Sequence, residues 1–193
     1  MSNSAAPIRL AFLAASLACL ASCQTTVTTD DGRPMPPPPR PAPPTPDQAP
    51  VNAMAIVLGP KPTDTNGNMR PDTIQLEAYL FARPYPTPTW RDGVFEFSIY
   101  PPGKAGSPDQ PAKDPIRTWS ILPEQAAQSR THSLIGDGYA LELSLLTNGG
   151  TDLIGYGSVD LIARFIETGS ETPVSATGVR SVSLASPMLA PGR

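Results

Sequence analysis

Tyr139-Ala140-Leu141-Glu142-Leu143-Ser144-Leu145-Leu146-Thr147-Asn148-Gly149-Gly150 sends Tyr139, Leu141, Leu143 and Leu145 to one side and Ala140, Glu142 and Ser144 to the other. Strict alternation has the period of a half-buried β-strand. The Asn-Gly-Gly that ends it favours a tight turn, so the stretch predicts a strand that hairpins into Thr151 to Tyr156. The same period recurs on both sides. Upstream are Asn52 to Leu58, then Thr73 to Ala82 with Ile74, Leu76, Ala78 and Leu80 inward, then Gly93 to Tyr100 with Phe95, Phe97 and Ile99 inward. Arg117 to Leu122 is a shorter strand carrying Trp119, and Pro123 to Gln128 suits one helical turn opened by proline. Downstream, Val159 to Ile166 turns Val159, Leu161, Ala163 and Phe165 inward, and Val174 to Leu184 closes the set. Seven or eight short strands separated by Gly, Pro, Asn and Asp clusters predict an all-β fold. The expected form is an antiparallel two-sheet sandwich of immunoglobulin-like or transthyretin-like type over residues 51–185, with 186–193 as a disordered tail.

The pattern stops abruptly N-terminal to Val51. Residues 23–50 hold ten of the 26 prolines, densest from Pro34 to Pro44. Proline removes backbone donors and favours polyproline II at about 3.1 Å per residue, so Pro34 to Pro50 reads as a disordered tether able to span roughly 50 Å. A ligand for a proline-reading domain is the weaker alternative, because an anchored domain needs a spacer in any case.

Arg9, the apolar run from Leu10 to Ala21, and Leu20-Ala21-Ser22-Cys23 resemble a bacterial lipoprotein signal with its lipobox. The run is too short to cross roughly 30 Å of hydrocarbon, and small residues before a cysteine suit a removed signal peptide of residues 1–22. Cys19 fits less well as the modified residue, since Ser16-Leu17-Ala18 puts a polar residue where the pattern wants leucine. An ordinary secretory signal is the remaining alternative. The resemblance implies that Cys23 carries acyl chains and anchors the protein, since stable attachment takes at least two. Gln24, in place of aspartate, favours the outer membrane by the same resemblance, on its periplasmic or surface side. Taken with the Asp-Thr-Asn-Gly-Asn loop, Gly-Tyr-Ala-Leu and Asp-Leu-Ile-Ala-Arg-Phe, the chain is similar to single-domain lipoproteins of planctomycete-type bacteria. That group implies a place in the cell envelope and no activity.

Composition narrows the chemistry. Without residues 1–22, which include Arg9, the chain keeps 13 basic against 17 acidic residues. No basic stripe offers phosphate neutralisation, so nucleic acid is not an expected partner. Cys19 leaves with the signal and Cys23 is acylated, which removes disulfides, thiolate nucleophiles and thiolate metal sites. His132 is the single histidine, so no site can use two imidazoles; it sits among Ser129, Arg130, Thr131 and Ser133 in what reads as a polar loop, with no Gly-x-Ser-x-Gly elbow in the chain. Glu77, Glu96 and Glu142 fall on outward strand positions, where solvated charge is the ordinary explanation. Gly136-x-Gly138 and Gly155-x-Gly157 lack the third glycine and the following helix of a phosphate loop. Asp137-Gly138-Tyr139 resembles the tyrosine corner of immunoglobulin-like domains.

Two places keep a binding reading. In Asp64-Thr65-Asn66-Gly67-Asn68-Met69-Arg70-Pro71-Asp72, the residues Asp64, Asn66, Asn68 and Asp72 occupy places one, three, five and nine of an EF-hand-type calcium loop. Met69 then stands where that loop needs glycine, and Gln75 where it needs a bidentate acid, so a self-bonded Asx-rich loop is favoured and calcium is the lesser possibility. Tyr85 and Trp90, in a Pro-rich connection, could stack a sugar or peptide; more often a loop tryptophan folds back to plug the end of a sandwich. The expected function is a membrane-anchored, non-catalytic structural or binding module with an envelope protein or glycan partner and no cofactor. The alternative is an envelope polysaccharide-binding or hydrolytic domain, calcium-dependent if the loop holds the ion.

Overall fold

The computed structural model describes residues 43–185; the lipobox, Cys23, most of the Pro-rich segment and residues 186–193 lie outside them. Among the described residues, nine strands form two antiparallel sheets. In chain order they are β1 (Ala53–Leu58), β2 (Thr73–Phe81), β3 (Gly93–Tyr100), β4 (Arg117–Ile121), β5 (Arg130–His132), β6 (Asp137–Ser144), β7 (Ser158–Glu167), β8 (Val174–Ser175) and β9 (Arg180–Ser183). One short helix, α1 (Pro123–Gln128), begins at proline, and Leu122 N–H donates to the Gln125 side chain at 3.0 Å. One sheet runs β1-β2-β6-β5. The other runs β4-β3-β7, with β8 and β9 sharing the far edge of β7. Lettered A to G in chain order, with β4 as C′ and β8 and β9 as one broken G, the sheets read A-B-E-D and C′-C-F-G. That is the immunoglobulin-like order, which selects one of the two expected sandwich types. A parallel bridge between Met54 and Ala176 ties β1 across to β8.

The alternating residues form the core. Ile74, Leu76, Ala78 and Leu80 of β2 and Tyr139, Leu141 and Leu143 of β6, with Leu145 just past it, face Phe95, Phe97, Ile99, Val159, Leu161, Ala163 and Phe165 of the opposite sheet. Phe95 is central: its ring meets Tyr139 edge-on at 4.9 Å and Phe165 at 4.8 Å. Trp119 packs on this cluster half-buried, with its indole N–H donated to Ser144 O at 2.8 Å.

Four expectations need correcting. Asn148-Gly149-Gly150 does not start a hairpin. Asn148 (φ 52°) and Gly149 (φ 72°) do adopt the left-handed conformation that the dipeptide favours. The chain then leaves the sheet, and residues 150–157 cross to the other sheet without forming a strand. Ile154 of that crossing packs on the core, which gives this path an apolar reward that a solvent-exposed hairpin lacks. The last strand is split, because Gly178 (φ 74°) bends the chain between β8 and β9. His132 lies on an edge strand, opposite Asp137, rather than in a loop. Finally, Tyr139 is on strand E, so it is not the strand-F corner; its hydroxyl reaches across the sandwich to the β2–β3 crossover.

Antiparallel pairing sorts the connections into two ends. Residues 43–52 enter at the end that carries 82–92, 122–129, 133–136 and 168–173. The opposite end carries 59–72, 101–116 and 145–157.

Candidate functional site

At that opposite end, Thr63 and Thr73 pair as an isolated bridge and close the 64–72 loop at its base. Thr63 N–H donates to Thr73 O at 2.9 Å, and Asp72 N–H to Thr63 O at 2.8 Å. Asp72 is fully buried and organises the loop. Its carboxylate accepts from the N–H groups of Thr65 (2.9 Å) and Asn66 (3.3 Å) and from the hydroxyls of Thr65 (2.8 Å) and Thr73 (2.7 Å). Burial pushes this carboxyl up, but the hydrogen bonds from Thr73, Thr65 and Asn66 together outweigh it and hold the pKa below its ordinary value. Asp64 accepts from Gly67 N–H at 2.8 Å and Met69 N–H at 2.7 Å. Asn66 and Asn68 each accept from the N–H two residues on, as Asx turns do. Met69 takes φ 65°, the left-handed geometry for which glycine is the usual choice, and its bond to Asp64, with the Asx turns on either side, holds it there.

Asp152, from the 145–157 crossing, was not singled out by sequence. Its Oδ2 accepts from Asn68 Nδ2 at 2.5 Å and Asn66 Nδ2 at 3.3 Å, joining two loops that lie more than 80 residues apart in the chain. No local spacing signals such a partner. Among the described residues, no three His, Cys, Asp or Glu side chains cluster to hold a metal ion. Beside the loop lies an open groove of about 740 Å³, between the β1–β2 connection and the edge of β9. Leu58, Ile74 and Val182 give it apolar walls, with Lys61, Asp64 and Met69 at its margin. Met69 and Leu153 are each 63% exposed on this end of the molecule.

Trp90 sits at the entry end and does not present a free ring. It packs half-buried on the core, donates its indole N–H to Gly138 O at 2.9 Å, and carries the Arg130 guanidinium 5.8 Å from its ring centre. This is the plugging role. Tyr85 is half-buried on the same connection, far in the fold from the Asp64 loop. Tyr139 hydroxyl donates to Arg91 O and accepts from Arg91 N–H, both at 2.7 Å. Burial raises the pKa of Tyr139, although the Arg91 backbone bond pulls it the other way.

His132 Nδ1 lies 2.8 Å from Asp137, but the imidazole is 76% exposed. The neighbouring Ser133 instead shares a hydrogen bond of 2.8 Å with Tyr79 hydroxyl, which also bonds Glu77. Ser133 lies just beyond β5 and bonds to Tyr79, whereas His132 bonds to Asp137. Glu142 accepts from Gln75 at 3.2 Å, and Glu96 lies 3.9 Å from Arg164, so these outward acids are engaged as surface pairs. No family model, curated protein or solved structure matches the chain.

Proposed function

We propose that the chain is an envelope lipoprotein, acylated at Cys23, whose Pro-rich tether carries a non-catalytic structural or binding domain. The observation that carries the binding half of this reading is the groove beside the 64–72 loop. It is the kind of concave, largely apolar surface with a few polar groups at its rim that ligands use. The anchoring half rests on the lipobox resemblance and on the tether composition. Among the described residues no helix is long and apolar enough to cross a membrane.

A photo-crosslinking residue at Met69, in the full chain on its own envelope, tests the binding half. Adducts should form there and fall away when Leu58 and Val182 are both changed to Asp. Equal adduct formation from a probe at Leu134, at the entry end, would sink the groove as the binding surface.

A second reading, calcium-dependent recognition of an envelope glycan, is favoured by one observation. The side chains of Asn66 and Asn68 converge on Asp152. Turning both amides over, at the cost of the two Asx turns, would aim three oxygens at one point, the arrangement a hard cation takes. So few carboxylates place the affinity at the millimolar end of the known range. Calcium titration of the domain should raise the melting temperature only slightly, and Asp152→Ala should abolish the rise. Micromolar affinity would put this reading first.

A further inference from the structure

Residues 43–50 belong to no strand, yet they are bound to the domain at several points. Arg91 Nη2 donates to Pro46 O at 3.0 Å and to Ala49 O at 3.1 Å. Arg91 Nε lies 3.4 Å from Glu167 Oε1, and Glu167 Oε2 accepts from Val51 N–H at 3.2 Å. Thr45 hydroxyl donates to Thr87 O at 2.8 Å. Asn52 Nδ2 donates to Arg83 O at 3.0 Å while its Oδ1 accepts from Arg83 N–H at 2.8 Å. Arg91 is itself fixed from inside, since the Tyr139 hydroxyl grips both its N–H and its C=O.

The Arg91 side chain is only 13% exposed, so its bonds to two carbonyls are charge-assisted, the one to Ala49 O being partly shielded from water, and Glu167 offsets the cost of taking the cation out of water. A connection that only has to reach needs no such fixture. A polyproline segment ending in a free swivel would present every face of the domain in turn, whereas one ending in a fixed junction presents a single face.

We propose that Arg91 is a clasp that makes residues 45–51 part of the domain and holds them at the end opposite the 59–72, 101–116 and 145–157 connections and the groove.

A nitroxide on Pro43→Cys tests it, in the full chain with Cys19→Ser and Cys23→Ser. Amide signals from 82–92, 133–136 and 168–173 should broaden, and those from 59–72, 101–116 and 145–157 should not. Broadening spread over both ends in this parent would overturn the clasp without any further variant. Arg91→Ala should release the segment. Its broadening should spread to both ends and the Ala49 and Val51 amides should exchange roughly tenfold faster or more, with β3 and β7 amides unchanged. Unchanged exchange at Ala49 and Val51 in a folded Arg91→Ala would equally overturn it. Should Arg91→Ala not fold, Arg91→Lys, which keeps the charge but lacks the fork, replaces it and the Ala49 amide is followed: faster exchange there supports the clasp, and unchanged exchange overturns it. None of these measurements involves acylation, so an unmodified Cys23 would defeat the proposed anchor and leave the clasp standing, and a free segment would do the reverse.

Discussion

Tyr139→Phe removes one oxygen and keeps the ring that meets Phe95 edge-on at 4.9 Å. Its effect therefore isolates the hydroxyl. In the native protein that hydroxyl satisfies both Arg91 N–H and Arg91 O, and Tyr139 has no exposed surface. Each hydrogen bond contributes about 1 kcal/mol net, and stranding a part-buried backbone group adds to the loss, so the substitution should cost about 2–3 kcal/mol. For a domain of about 140 residues, 1 kcal/mol moves the melting temperature by roughly 3 °C, which gives a drop of roughly 6–9 °C near pH 7. Alkaline pH supplies a second check with a definite sign. Burial raises the pKa of Tyr139 when folded, so its contribution is complete below the unfolded value near 10 and is lost as pH rises through the folded value. Phenylalanine has no such loss. The gap between wild type and Tyr139→Phe should therefore narrow above about pH 10 in thermal scans by near-ultraviolet circular dichroism. A gap below about 2 °C at neutral pH, or one that widens with alkalinity, would refute the role assigned to this hydroxyl.

Further substitutions test the 64–72 loop, the sheet packing and the anchor. Asp72→Asn replaces an acceptor of four hydrogen bonds with a group that must turn donors toward donors, and should cost about 2–3 kcal/mol in denaturant melts. Because the folded Asp72 pKa is lowered, its contribution is present above the unfolded value and lost as pH falls through the folded one, so the variant should also show a flatter acid limb; an unaltered acid limb would count against it. Gly138→Ala would set a Cβ 2.7 Å from Tyr79 Cε1 and should destabilise by about 1–3 kcal/mol, whereas Gly155→Ala meets no neighbour within 4 Å and costs only the strain of φ 76°. Similar melting temperatures for wild type and Gly138→Ala would show that the β5–β6 hairpin yields. Cys23→Ser should move the protein from the detergent phase to the aqueous one, or leave an uncleaved precursor, and unchanged partitioning would dismiss the lipobox.

The core was legible because burial on one face of a strand writes itself as alternation. Phe95, Phe97, Leu141, Leu143 and Phe165 all read inward and all pack inward. What alternation could not reveal is which strand neighbours which. The Asn148-Gly149 dipeptide specified its own backbone conformation correctly, but the direction of the chain beyond it was decided by Ile154 finding the core. The candidate site was legible in half. Asp64 to Asp72 announce a self-bonded loop by their Asx spacing, while Asp152, drawn in from another connection, and Val182 of β9, on the groove wall, are placed by tertiary structure alone. Residues 45–50 looked like featureless spacer because their partner, Arg91, lies about 40 residues away and offers a side chain to backbone carbonyls, an interaction that leaves no pattern in the segment it holds.

The most direct test of an anchored binding domain is the intact mass and N-terminal peptide of the protein extracted from its own membranes. A chain beginning at Cys23, with a diacylglycerol thioether on its sulfur and an acyl chain on its amine, is the predicted result. A chain beginning at any other residue, or Cys23 carrying an unmodified thiol, would contradict it.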